Sequence, residues 1–421
     1  ETKGLRVYTS FDPAMQKYAV DAVNKTLNQP DGPVGSLVAI DTDGRVRAMY
    51  GGRDYETSKV NLALGSAGGG SGRAPGSTFK PFALAAFVEE GYSVKSRFRA
   101  PPTTMFPNVY AEPGKLWKPG NYDKADHGVQ SVEEATWDST NTVYAGIVDT
   151  ITPPRLAEMA NRLGVRAKLD PVYALVLGTE EVSVLDMASA YSTFADRGRH
   201  TEPYVITRIE SSDGDVIFDA STEVHPQQVI SEQVADTVTT VLQGVIIKGT
   251  GAAAGLRTPA AGKTGTTNDA KDVWFIGFTS NIVAGCYLGY DTPRTLGENA
   301  FGGTLCVPVF NEFMQEAVKE FGGTEFAVPP GGHFVNIDRF SGAILGADAK
   351  GPNVIAEYFR DGQDMSALGM VDGGFGRADP GTLPLFTGAS DGGQAVTTST
   401  GKKKVIPKKA DFGTLSSGGL Y

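Results

Sequence analysis

Residues 272–290 read DVWFIGFTSNIVAGCYLGY, an apolar run rich in β-branched and aromatic residues with the turn signal Ser280-Asn281 at its centre. That is the form of a β-hairpin. A second stretch, SLVAIDTDGRVRAMYGG at 36–52, repeats the form, with Leu37–Ile40 and Val46–Tyr50 flanking Asp41-Thr42-Asp43-Gly44. Between the two, the apolar period lengthens to that of a helix in STFKPFALAAFVEEG (77–91), SVLDMASAYSTFADRG (183–198) and SEQVADTVTTVLQGVI (231–246). The middle one opens with Ser183 followed three residues later by Asp186, a variant of the capping box, and stops at Gly198. Upstream, residues 7–27 begin with a short strand-like run. After Asp12-Pro13 they continue as an amphipathic helix with Met15, Ala19, Ala22 and Leu27 on one side. Strands near both ends with helices between them predict an α+β domain whose antiparallel sheet is closed by distant segments.

The chain of 421 residues is long enough for one large domain with appendages, or for two domains. Its formal net charge of −10 argues against a broad nucleic-acid surface. No apolar run approaches the ~20 residues that span a bilayer. Glu1, rather than Met, opens the chain, which is consistent with an anchor or export signal lying outside it. Cys286 and Cys306 cannot make a disulfide framework and are expected to be buried small apolar side chains. The Gly-rich stretch GSAGGGSG (65–72) has neither a Lys-Ser/Thr pair after it nor a strand feeding into it, so it is expected to be a flexible loop and not a phosphate cradle. Gly, Pro, Ser and Thr make up 27 of the 61 residues from 361 to 421, with the lysines of GKKKVIPKK among them. Such a composition predicts a tail with little core of its own and a solvated lysine cluster. The expected division is a lead-in or linker at 1–34, a main domain at 35–325 and a C-terminal extension at 326–421.

Three short patterns carry chemistry. Ser77-Thr78-Phe79-Lys80 opens an apolar helix, and three residues are nearly one turn, so hydroxyl and amine share a face. A serine hydroxyl is a poor nucleophile until a base takes its proton, and a desolvated lysine is such a base. Alone, Ser-x-x-Lys also recurs as a helix cap followed by a solvated lysine. Ser139-Thr140-Asn141 offers a hydroxyl to relay a proton and an amide to accept from a lysine and donate to a carbonyl; alone it reads as a turn or cap. Lys263-Thr264-Gly265-Thr266-Thr267 leads into Val273–Phe278, and a strand edge bearing a lysine, hydroxyls and a glycine suits a substrate carboxylate. The bland alternative is a solvated edge strand. What matters is the order and combination of the three.

In that order, and with the longer segments RAPGSTFKPF, WKPGNYDKADHGVQSVEEATWDSTNTVYA, VLGTEEVSVLDMASAYSTFADRG, AAGKTGTTNDAKDVWFIGFT and GYDTPRTLGENAFGGTLCVPVFNEFM, the chain resembles the transpeptidase domain of class A penicillin-binding proteins from about residue 5 to 320. The glycosyltransferase domain that precedes it in that family is not in this sequence. Two departures are the Gly-rich 65–72 and Cys306-Val307, where small residues are usual. The resemblance implies an antiparallel five-stranded sheet flanked by helices with a mostly helical part beside it, the fold shared with serine β-lactamases. It further implies D,D-transpeptidation of peptidoglycan stem peptides outside the cytoplasm, by a protein held to the membrane through an anchor absent from this chain. Other cell-wall synthesis proteins are implied as partners. Ser77 would attack the D-Ala-D-Ala carbonyl with Lys80 as base, and an amine acceptor would resolve the acyl-enzyme. Ser139 would pass the proton among Lys80, Lys263 and the nitrogen, and Asn141 would hold the substrate amide. Thr264 and Thr266, around Gly265, would grip the terminal carboxylate, and the backbone N–H groups of Ser77 and Thr266 would form the oxyanion hole. β-Lactams would be covalent inhibitors.

No cofactor is implied and no metal site is read: His127, His200, His225 and His333 are scattered, without ligand spacing. No Gly-x-Ser-x-Gly elbow surrounds Ser77. A serine β-lactamase or D,D-carboxypeptidase shares the three motifs, but a β-lactamase needs a base that hydrolyses the acyl-enzyme. Glu180 and Glu181 are the nearest acids by chain order and are expected to be first-turn acids of the Ser183 helix. A penicillin-binding sensor without turnover is the non-enzymatic alternative.

Overall fold

The computed structural model describes residues 4–27, 32–56, 58–92, 94, 96–107, 109, 116–338, 345–360, 394–397 and 403–406. Most of the Gly/Ser/Thr-rich tail, including much of the lysine cluster, lies outside the described residues; within it Gln394–Thr397 pairs antiparallel with Lys403–Ile406. The chain separates into two units. The first comprises Glu1–Phe82, Ala157–Asp170 and Gly178–Val328, and the second Ala83–Leu156, Pro171–Leu177 and Pro329–Tyr421.

The first unit is built on both expected hairpins. Asp272–Phe278 and Ile282–Gly289 pair antiparallel around the Ser280-Asn281 turn, and Val34–Asp41 and Val46–Tyr50 pair around Asp41–Arg45. Ile282–Gly289 then pairs in unbroken register with Val34–Asp41, from Ile282 opposite Asp41 to Gly289 opposite Val34. With Ala261–Thr266 added on the outer side of Asp272–Phe278, the result is one five-stranded antiparallel sheet closed by segments more than 200 residues apart in the chain.

Both faces of this sheet are covered, which is why its central strands read as continuous apolar runs and not as alternation. On one face, Leu37, Ala39, Ala48, Val273, Phe275, Ala284 and Leu288 pack with Met15, Ala19 and Val23 of the Pro13–Thr26 helix and with Phe310, Phe313 and Met314 of the Val307–Phe321 helix. Val184–Ala195, buried all round, lies against the sheet elsewhere: a side chain at Gly285 would meet Val184 and Ala188 at 3.4 Å. Glu232–Ile247 packs on Ala261–Thr266 and on Val184–Ala195. Leu5–Thr9 pairs with Ile206–Ser211 in a separate three-stranded sheet.

The helix starts follow local rules. Asp12, Ser183 and Ser231 each accept backbone N–H bonds from the first turn of the helix they open. Two expectations are revised. The segment expected as one helix from Ser77 to Gly91 is a 3₁₀ turn, Gly76–Phe79, followed by the α-helix Lys80–Glu89. Gly76 has φ +57° and the preceding Pro75 makes no side-chain cap, so an α-helical first turn has nothing to start it. Second, part of the 65–72 stretch expected as a loop has regular local structure: Leu62–Gly68 forms 3₁₀ turns capped by Asn61, with Gly69 closing them in the left-handed region.

The second unit contains the short helix Val132–Trp137, opened by a full Ser131/Glu134 capping box, and Asn141–Ile151, which is buried along most of its length. A separate hairpin pairs Gly332–Asp338 with Val354–Arg360.

Candidate active site

In the first unit the Ser77 turn rests on the Lys263 strand through contacts that only glycine allows. A Cβ on Gly265 would sit 2.3 Å from the Pro75 carbonyl oxygen, and one on Gly76 would sit 3.0 Å from the Thr266 carbonyl oxygen. On its other flank the turn meets Gly178–Val182. The Gly76 N–H donates to the Gly178 carbonyl at 3.2 Å, and Arg73 and Val182 exchange backbone bonds of 2.9 and 3.1 Å. The base of the turn is pinned by the Tyr191 hydroxyl, which donates to the Thr78 carbonyl at 2.7 Å, and by Thr78 Oγ1, which donates to the Pro75 carbonyl at 2.7 Å. In a 3₁₀ turn residues i and i+3 eclipse, so the observed geometry aligns Ser77 with Lys80 more closely than an α-helix would.

Ser77 is partly exposed, whereas Lys80 and Lys263 are 0% exposed. Burial drives the Lys80 ammonium well below its ordinary range, and the nearby charge of Lys263 pushes it further. Burial alone lowers Lys263 to about 7. Its Nζ donates to the Thr264 carbonyl at 3.1 Å, and Thr264 Oγ1 lies 2.6 Å from Thr250 Oγ1. Thr266 Oγ1 accepts from the Gly302 N–H at 3.1 Å. Both shifts favour the neutral amine, which is the form a lysine needs to act as a base.

Sequence reasoning did not isolate a polar chain running behind this turn. Arg73 Nε donates to the Tyr287 hydroxyl at 3.0 Å, and that hydroxyl donates to Asp272 Oδ1 at 3.0 Å. Burial raises Asp272 above its ordinary value and raises Tyr287 as well. Arg73 opens the RAPGSTFKPF segment, but nothing local marks Tyr287 or Asp272 as its partners.

Glu180 and Glu181 precede Ser183, which is the helix cap, so neither belongs to the first turn; its acid is Asp186. The Val-Ser-Val spacing puts the cap two residues beyond Glu181.

The second unit carries Ser139 and Asn141. Ser139 has φ +60°, a left-handed residue between the Val132–Trp137 and Asn141–Ile151 helices, and its N–H donates to the Thr136 carbonyl at 3.3 Å. Thr140 Oγ1 donates to Gln130 Oε1 at 2.7 Å, and Asn141 Nδ2 donates to the Gly120 carbonyl at 2.8 Å. Asn121 extends the lattice: its Nδ2 donates to the Pro101 carbonyl at 3.0 Å and its Oδ1 accepts from the Thr142 N–H at 3.1 Å.

A serine on a glycine-backed turn, a desolvated lysine one turn later and a second desolvated lysine on a sheet-edge strand are groups of the kind that acyl transfer through a serine requires. A family model described as the penicillin binding protein transpeptidase domain matches residues 35–315. The chain belongs to that family. It is 32% identical over 359 residues to penicillin-binding protein 1A of Pseudomonas aeruginosa, covering 73% of this chain and 43% of the relative. It is 35% identical over 307 residues to penicillin-binding protein 1A of Neisseria gonorrhoeae, covering 70% of this chain and 37% of the relative. The chain thus spans less than half the length of these curated relatives. Among solved structures, PonA1 from Mycobacterium tuberculosis in complex with penicillin V superposes with a TM-score of 0.68 at 29% identity, covering 78% of this chain and 89% of PonA1. The expected α+β fold with its five-stranded antiparallel sheet is the observed one.

Proposed function

We propose that this chain is the D,D-transpeptidase part of an extracytoplasmic, membrane-anchored cell-wall synthase. The observation that carries the reading is the pair of fully buried lysines, Lys80 and Lys263, around the partly exposed Ser77. Lys80, neutral through desolvation, takes the Ser77 proton as the oxygen attacks the D-Ala-D-Ala carbonyl of a stem peptide. The C–N bond breaks, D-alanine leaves with a proton, and an ester remains on Ser77. The amine of a second stem peptide then attacks that ester and Ser77 regains its proton. Ser139 and Lys263 pass protons to and from the two nitrogens, Asn141 holds the substrate amide, and Thr264 and Thr266 bind the terminal carboxylate around Gly265. The Ser77 and Thr266 N–H groups receive the oxyanion; one such donor is worth about 10²–10³ in rate. A β-lactam enters the same path because its amide and carboxylate imitate those of D-Ala-D-Ala, and its acyl-enzyme persists.

The test is intact-mass analysis after benzylpenicillin. One adduct per chain is expected, surviving many minutes and absent in Ser77→Ala; an adduct of equal yield in that variant refutes the nucleophile. The Gly178–Val182 segment, which runs beside the Ser77 turn and carries Glu180 and Glu181, makes a hydrolase the reading to exclude. Sustained nitrocefin turnover that disappears in Glu180→Gln or Glu181→Gln would replace the transpeptidase by a β-lactamase.

A further inference from the structure

The two cysteines, expected only as small apolar fillers, meet. Cys286 lies in the Ile282–Gly289 strand and Cys306 at the end of the Gly302–Cys306 turn; both are buried, and their Sγ atoms are 2.9 Å apart. Even carbon atoms, which are smaller than sulfur, rest at about 3.5–4.0 Å when not bonded. Two thiols at 2.9 Å are therefore pressed together, and a rotation of either side chain that shortens the gap by under about 1 Å reaches bonding distance. Among the described residues no group of three His, Cys, Asp or Glu side chains is placed to hold a metal, so the two sulfurs have no third ligand to share an ion with.

We propose that Cys286 and Cys306 form a disulfide, made as the protein folds, that fastens the Gly302–Cys306 turn to the central sheet. Two S–H bonds break and one S–S bond forms; two protons and two electrons pass to a disulfide, either that of a thiol–disulfide oxidoreductase, which is reduced to its dithiol, or glutathione disulfide, which is reduced to two thiols. The bond is formed before the core closes, because the reaction needs a thiolate and burial raises the Cys306 thiol well above its ordinary value. Once closed, the same burial shields it from reductants.

The placement gives the cross-link a local consequence. The turn it fastens donates the Gly302 N–H to Thr266 Oγ1, and a Cβ on Gly302 would lie 2.7 Å from the Gly265 carbonyl oxygen, so the turn rests directly on the Lys263 strand. The inference draws its oxidising setting from the extracytoplasmic reading above, but its test does not involve β-lactam labelling, so the two fail separately.

The full chain is purified after export through an oxidising compartment, denatured in guanidinium and alkylated with iodoacetamide without reductant. Intact mass is expected to be lighter than the dithiol by two hydrogens, with no adduct, and both thiols alkylate after dithiothreitol. Proteolysis is expected to yield one peptide pair joined through Cys286 and Cys306. Any alkylated cysteine, or a glutathione adduct on either, before reduction overturns the proposal. The Cys286→Ala variant is expected to expose Cys306 as one alkylatable thiol in the same assay; a variant showing none overturns the pairing.

Discussion

The two units hold their motif residues by different physics. In the first, Lys80 and Lys263 owe their chemistry to desolvation, which exists only once strands and helices distant in the chain have closed around them. In the second, Ser139, Thr140 and Asn141 are set by hydrogen bonds to Thr136, Gln130 and Gly120, and Ser139 by a left-handed backbone. One half tunes reactivity by excluding water, at a cost to stability. The other aims polar groups by satisfying them, with little electrostatic cost.

The sharpest way to break this contrast is Lys80→Arg, which keeps the charge and removes a usable base. Acylation by benzylpenicillin, followed by stopped-flow fluorescence, is expected to fall by about 10³-fold or more with circular dichroism unchanged. Near wild-type rates would mean that desolvation of Lys80 serves packing and not proton transfer. Ser139→Ala is expected to lose less, on the order of 10²-fold, because a relay is removed and not the base. An undiminished rate would leave the second unit's serine with a purely structural part.

The pH dependence of stability separates the halves without any substrate. Lys263 is lowered to about 7 in the fold, against about 10.4 in the unfolded chain. Between these values the unfolded chain holds a proton that the folded chain lacks, so stability rises with pH across that window. Below it, the buried ammonium carries its full desolvation cost. Urea unfolding is expected to show a rise of up to about 1.4 kcal/mol per pH unit for this group, with Lys80 acting in the same direction. Lys263→Met should flatten the rise and stabilise the protein at pH 7, whereas Ser139→Ala should leave the slope unchanged. Parallel profiles for wild type and Lys263→Met would show that Lys263 is not desolvated in solution. The smallest effect is expected from deleting residues 388–421, whose composition buries little apolar surface: acylation rate and melting temperature should stay within error. A fall of more than a few degrees would mean that the extension contributes to the core of the unit that carries it.

What could be read along the chain was whatever depends on neighbours within a turn or two. Both hairpins, the Ser183 cap and the order of the three motifs are of this kind, because capping and turn geometry are decided by side chains one to four residues away. The same locality misled at Ser77, where an apolar helical period hid the 3₁₀ turn imposed by Gly76, and at 65–72, where glycine content hid an Asn61-capped turn.

The tertiary structure alone decided which charges lose their water and which distant atoms touch. Lys80 and Lys263 are ordinary lysines until the five strands close and the helices cover them. Arg73 finds Tyr287, and Tyr287 finds Asp272, only because Ile282–Gly289 and Asp272–Phe278 are paired in one register. Cys286 meets Cys306 for a related reason, since the turn before the Val307–Phe321 helix is packed onto that sheet. Desolvation and long-range contact are sums over every segment that surrounds a group, and no period or spacing within one segment encodes such a sum.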